Sequence, residues 1–252
     1  MRKLIVLILS ILAMFSLVAC SSKDKEPEVE KEPEVVLNER QKEILMEEGL
    51  TTVFEDLTYT QKKAIVAIED MLTYLDEKYN DEFSYAGYIA KNVLEPEQLI
   101  AFKTGTDRDF DCFTVTTTEN GYEDNYIEFV SSDLFSEYIE DLVREICPDA
   151  KMKVYATVTD TTLTEIPTDK THFDGTTAGS IMVYLDGQTC DDNEYRNVTA
   201  NFESLMKEHE IYCSAQVLRT KDDAIIYLTK YNYTDYLTEE YYSDRESLYV
   251  NR

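Results

Sequence analysis

The sequence predicts an α+β fold, a mainly antiparallel sheet with helices packed on one face, in a single domain. Three observations predict it. Apolar stripes of helical period are interspersed with short runs of alternating polarity. An Asn-Gly dipeptide separates two such runs, as in a hairpin. The chain has 252 residues, 43% of them hydrophobic, enough for one medium core.

The body begins at residue 38. Asn38 is a candidate N-cap with Gln41 three residues on, and Gly49 supplies a helix stop. Thr58 and Gln61 repeat the capping-box spacing ahead of a longer helix. Its apolar stripe is Ala64, Ile65, Ile68, Met71, Leu72 and Leu75. Residues 84–90 and 99–103 read as short strands. So do 111–118 and 126–130, joined through Glu119-Asn120-Gly121-Tyr122. The spacing of Leu134, Phe135, Tyr138, Ile139, Leu142, Val143 and Ile146 predicts a helix over 133–146, closed by Pro148. A strand over 151–159 places Met152, Val154, Ala156 and Val158 on one side. A long polar stretch, 160–178, then leads to a strand at 180–185. The last clear helix, 193–209, turns Tyr195, Val198, Phe202, Leu205 and Met206 inward. Strands follow at 211–219 and 224–229, and the tail from Tyr231 reads as one or two helical turns. The strand–helix–strand order over 125–159 and again over 180–219 suggests two βαβ-type units, with too few identities for a sequence repeat.

Charge and composition exclude several function classes. Asp plus Glu total 51 against 24 Lys plus Arg, a formal charge of -27. Such a chain is not a phosphate-backbone binder, and no nucleic-acid partner is expected. With two histidines, a multi-His metal site is not expected. No phosphate-cradling glycine loop, Gly-x-Ser-x-Gly elbow or His-Glu-x-x-His pair occurs. Ser204-Leu205-Met206-Lys207 and Lys103-Thr104-Gly105 match two motifs of serine β-lactamases, but in the wrong order and without a middle motif.

The N-terminus carries an address. Arg2 and Lys3 precede an apolar run from Leu4 to Phe15, too short and wrongly flanked for a permanent span. Leu17-Val18-Ala19-Cys20 follows, and polarity rises abruptly after it. These four residues resemble the lipobox of bacterial lipoproteins. The resemblance covers only the signal. It implies that residues 1–19 are a cleaved signal peptide and that Cys20 receives a covalent diacylglycerol anchor. It also implies that the rest lies at the outer face of the cytoplasmic membrane. At about 0.8 kcal/mol per buried CH₂, two or more acyl chains suffice for stable anchoring. No other cofactor is expected. Residues 20–37 then form a tether: Lys25-Glu26-Pro27-Glu28-Val29-Glu30 is nearly repeated as Lys31-Glu32-Pro33-Glu34-Val35-Val36. An extended chain at about 3.1 Å per residue would hold the body of residues 38–252 roughly 50 Å from the bilayer.

Candidate chemistry in the body is dispersed. Asp107, Asp109 and Asp111 alternate like the start of a calcium loop, but Cys112 and Thr118 stand where that loop needs Gly and Glu. An acidic solvated loop is the expected reading. His172 lies in the polar stretch near Asp169 and Asp174 and is the one histidine to test for chemistry, an ordinary loop histidine being the expected reading. His209 ends a helix. Four cysteines remain after Cys20, at 112, 147, 190 and 213. An even number in an exported chain permits two disulfides in any of three pairings, and the absence of CxxC excludes a redox motif or zinc knuckle. With Cys213 on an apolar strand face, free or partly paired structural thiols are the expected reading over two bridges. Nineteen tyrosines include a dense C-terminal set. Among them Tyr231, Tyr233, Tyr236, Tyr241 and Tyr242 are a candidate binding surface, or else packing for the last elements.

Two functions follow as expectations. The first is a membrane-anchored extracytoplasmic lipoprotein whose body binds another envelope protein, peptide or glycan without catalysis. The second is a cell-envelope hydrolase whose site combines dispersed carboxylates with His172 and Asp174. A concave pocket with converging titratable groups would separate them.

Overall fold

The computed structural model describes residues 36–173, 177–221 and 223–251. The signal, Cys20 and nearly all of the tether lie outside these residues, as does Asp174. Residues 39–252 form one compact unit, and its fold is α+β, with two four-stranded sheets in place of a single one.

The first sheet is built on a helix. α1 (Glu39–Glu47) and α2 (Tyr59–Tyr79) precede β1 (Phe83–Ile89), β2 (Gln98–Lys103), β3 (Cys112–Thr118) and β4 (Gly121–Asp124). These strands run in spatial order, all antiparallel. α2 starts where the sequence predicts, with both halves of the Thr58–Gln61 capping box formed. Its stripe of Ile65, Ile68, Met71, Leu72 and Leu75 is buried, as are Phe83, Leu99, Ala101, Phe113 and Val115 of the sheet. In the β3–β4 hairpin Thr118 pairs with Gly121, which has φ +119°, a conformation that favours glycine.

β4 is tied to α2 through Asp124. Its carboxylate accepts from Tyr74 Oη (2.7 Å), Tyr79 Oη (2.6 Å), Lys78 Nζ (2.7 Å) and the Tyr126 backbone N–H (3.1 Å). The side chain has no exposed surface.

α3 (Tyr126–Ile146) then leads from the first sheet to β5 (Met152–Thr161) of the second. The strand expected at 126–130 is the first turn of this helix. Tyr126, Ile127 and Ser131 are buried ahead of Phe135 and Tyr138, a helical spacing. A five-residue run with four apolar positions around Glu128 does not distinguish the two periods by itself. The expected 125–159 unit is therefore not a βαβ unit within one sheet, because α3 connects strands of different sheets.

The second expected unit is a real one. β6 (Thr177–Asp186), α4 (Asp192–Glu208) and β7 (Tyr212–Thr220) form a crossover with β6 and β7 parallel, Ile181 facing Ala215. Asp191 caps α4, accepting from the Asn193 and Glu194 N–H groups, while Glu194 accepts from the Asp191 N–H. The expected strand at 224–229 is instead a helical turn, α5 (Ala224–Tyr227), with Ile225 and Leu228 buried and Ile226 exposed. The tail holds a 3-10 turn at Tyr233–Tyr236, and beyond it β8 (Tyr242–Val250), a strand the sequence does not announce. β8 is an edge strand, antiparallel to β7, carrying Asp244, Arg245 and Glu246. Charged residues suit an edge and mask the pattern of a strand.

The order of the second sheet is β5-β6-β7-β8. One face packs Val154, Ala156, Ile181, Val183, Ala215 and Val217 with Phe135, Ile139 and Val143 of α3 and with Val198, Phe202 and Met206 of α4. The other face packs Tyr184 and Leu218 with Ile225, Leu228, Tyr236 and Tyr242.

Candidate functional site

A cleft of about 520 Å³ opens where α3, β5, the β2–β3 connection and the segment after α5 meet. Each wall has a local cause. On α3, Ser132 and Ser136 are one turn apart and both turn toward β5. Ser132 Oγ accepts from the Val158 N–H (3.1 Å) and Ser136 Oγ from the Ala156 N–H (2.8 Å). Small hydroxyl side chains bring helix and strand together there and satisfy backbone donors beside the β-bulge between Val158 and Asp160.

The opposite wall is aromatic. Tyr233 stacks on Tyr155 of β5 with ring centroids 4.7 Å apart and planes 12° apart. The Tyr184 hydroxyl fixes the segment by donating to the Tyr233 carbonyl at 2.7 Å. Asn232 closes the preceding turn, accepting from the Thr229 N–H (2.7 Å) and donating to the Tyr227 carbonyl (3.0 Å). Lys153 Nζ donates to the Leu228 carbonyl at 2.6 Å. Tyr231 is half exposed and its ring lies 4.4 Å from that of Phe110.

Charge in the cleft is balanced. Lys230 pairs with Asp133 at 3.0 Å, and that bond raises the ammonium above its ordinary range. Lys103 is paired with Asp81 and is likewise raised. Burial pushes the Tyr155 hydroxyl up to about 12 and also raises Tyr126. The lining thus offers fixed ammonium groups and neutral hydroxyls at physiological pH. Its aromatic faces suit a flat or ring-shaped group. Among the described residues, the lining contains no histidine and no cysteine.

The structure sorts the predicted residues unevenly. Of the acidic loop, Asp111 lines the cleft, but its carboxylate accepts from the Asp107 N–H (3.0 Å), and Asp107 accepts from the Asp109 N–H (2.9 Å). These carboxylates hold their own turn, and Arg108 pins it to Glu47 (3.0 Å) and to the Ala86 carbonyl (3.2 Å). His172 is away from the cleft, on a short 3-10 turn, 42% exposed, with Nδ1 3.1 Å from Asp169 Oδ1. His209 faces the Tyr138 hydroxyl at 3.0 Å.

The five candidate tyrosines divide. Tyr231 and Tyr233 line the cleft. Tyr236 and Tyr242 pack on the outer face of the second sheet, and Tyr241 lies against Tyr236 with ring centroids 4.5 Å apart. In this structure Cys112, Cys147, Cys190 and Cys213 carry no disulfide. Sequence reasoning missed Phe110, Phe129, Tyr155 and Lys230. For Tyr155 a signal existed: it lies on the side of its strand opposite Val154 and Ala156, so it needed a second covering layer.

Neither a protein-family model nor a curated protein matches the sequence. No helix among the described residues is long and apolar enough to cross a membrane. Among solved structures, the chain is similar to the crystal structure of a DUF5037 family protein from Ruminococcus gnavus ATCC 29149. Identity is 16%, coverage is 64% of this chain and 77% of that one, and the TM-score is 0.35.

Proposed function

We propose that the chain is a lipoprotein anchored through Cys20 at the outer face of the cytoplasmic membrane. Its body is a non-catalytic binding module that holds a glycan or peptide segment of another envelope component. The single observation that carries the binding role is the cleft, which joins Tyr231 and Tyr233 to Tyr155, Phe110 and α3 across distant parts of the chain. Rings fixed by stacking and by the Tyr184 bond are already ordered, so little conformational entropy is lost on binding. The two cleft carboxylates have partners, Asp133 in Lys230 and Asp111 in the Asp107 N–H. The arrangement therefore favours holding a ligand over protonating one.

The anchor and the cleft are tested separately. Cells fed labelled palmitate should incorporate it into the wild-type chain, and the Cys20→Ala variant should take up none and leave the particulate fraction. Equal retention of the variant would end the anchoring part of the proposal. For the cleft, oligosaccharide and peptide panels are titrated calorimetrically against the full chain. Tyr231→Ala and Tyr233→Ala should each weaken a saturable ligand by about tenfold or more, as expected when an aromatic anchor is lost from a hot spot. The ligand should be recovered uncleaved. Turnover, or unchanged affinity in both variants, would overturn the binding reading.

A further inference from the structure

We propose that Cys147 and Cys190 are joined by a disulfide in the mature protein, cross-linking the end of α3 to the start of α4. Cys147 is the C-terminal cap of α3, held by its N–H on the Val143 carbonyl at 3.1 Å. Cys190 directly precedes Asp191, the N-cap of α4, and its own N–H is held by the Asp186 carbonyl at 2.8 Å. Both are core residues, 2% and 1% exposed. Their sulfurs and a Glu194 carboxylate oxygen lie within 4.8 Å of one another. Cys112 and Cys213 stand apart. The former donates to the Arg108 carbonyl at 2.9 Å, and the latter is buried within β7.

The same three groups invite comparison with a metal site, and the energetics favour the cross-link. A divalent ion would need two thiolates beside a carboxylate inside the core. Glu194 already serves the Asp191 N–H at 2.8 Å. A disulfide is neutral and apolar and leaves the capping box intact.

The chemistry is thiol–disulfide exchange with an external disulfide, either a low-molecular-weight one or that of an oxidoreductase. One cysteine thiolate attacks the external disulfide, forming a mixed disulfide and expelling a thiolate. The second cysteine thiolate attacks the first cysteine's sulfur, and the S–S bond forms as the other external thiol leaves. The pair gives up two protons and two electrons, and the external disulfide takes both and becomes two thiols. Because both sulfurs are buried, the exchange belongs to the folding chain. The resulting loop closes residues 148–189 and stabilises mainly by restricting the unfolded chain. The pairing is independent of what the cleft holds.

The full chain is refolded from denaturant in a mixture of reduced and oxidised glutathione, alkylated, digested without reductant and mapped by mass spectrometry. The expected product is a Cys147–Cys190 linked peptide, with Cys112 and Cys213 alkylated. Reductant should lower Tm by roughly 5–15 °C, and a Cys147→Ser/Cys190→Ser variant should show no response to it. Mapping of the wild-type chain decides the matter even if that variant folds poorly. Alkylation of all the thiols, or a link through any other cysteine, overturns the proposal. So does stoichiometric uptake of Zn²⁺ by the reduced chain that blocks oxidation.

Discussion

Asp124→Ala is expected to destabilise the protein by about 2–4 kcal/mol, the cost of leaving several partly buried donors without their acceptor. The carboxylate has no exposed surface, while Lys78 remains 38% exposed. The loss therefore comes less from the ion pair than from two tyrosine hydroxyls and the Tyr126 N–H that would lose their acceptor. Tyr79→Phe and Tyr74→Phe should each cost less, about 1–3 kcal/mol, since each removes one bond to a charged group. Urea unfolding followed by circular dichroism measures all three. A loss below about 1 kcal/mol for Asp124→Ala would mean that the cluster is solvated and does not hold β4 to α2.

The same cluster fixes a pH dependence. Burial alone would raise the Asp124 carboxyl, but the bonds from Lys78, Tyr79 and Tyr74 outweigh it and hold the group below the ordinary carboxylate range. In the acid window the unfolded chain then binds more protons at this site than the folded one, so stability rises with pH there. The contribution is fully present above the unfolded carboxylate pKa of about 4 and is lost as pH falls through the lower folded value. The sign for Lys78 is opposite. Its ammonium is raised by the same bonds although burial opposes it, so its share survives at neutral pH and fades only in strong alkali. Asp124→Asn should accordingly flatten the acid limb of a stability–pH curve and, because it removes the carboxylate that raises Lys78, also weaken the fall in strong alkali.

The second large effect is expected at Phe135. This ring is fully buried between α3 and the second sheet, 5.2 Å from Phe173. Phe135→Ala should cost about 3–5 kcal/mol through lost burial and the cavity left behind. Gly179 of β6 faces it. A Cβ there would lie 2.9 Å from Phe135 Cε1 and 2.5 Å from the Thr157 carbonyl oxygen. Gly179→Ala should therefore cost about 1–3 kcal/mol by overpacking. The two substitutions are expected to couple. Removing the ring relieves one clash and leaves the backbone clash, so the Gly179→Ala penalty should shrink by about 0.5–1 kcal/mol in the Phe135→Ala background without vanishing. A double-mutant cycle from urea midpoints gives this figure, and strict additivity would show that ring and glycine do not meet.

Local features were legible in the sequence. The Thr58–Gln61 box starts α2, the 64–75 stripe is its buried face, and the alternation over 151–159 faces the core as read. These depend on interactions within a turn or a strand, whose period is written in neighbouring residues. Residues 126–130 fit a strand as well as a helix because four apolar residues around Glu128 carry no decisive period, and β8 is hidden because an edge strand need not alternate. Of the candidate site, tyrosine abundance pointed to residues 231 and 233 but equally to 236, 241 and 242, which pack elsewhere.

By itself the sequence determined an α+β body with capped helices and a strongly acidic surface, together with an N-terminal segment that resembles a lipobox. Only the tertiary structure decided that the strands divide into two sheets and that α3 links them. It alone placed Tyr155, Phe110 and Tyr231 around one cleft and the sulfurs of Cys147 and Cys190 side by side. The reason is range. Caps and stripes are set by residues three or four apart, whereas a cleft and a cross-link are set by where whole elements pack, and no local spacing encodes that.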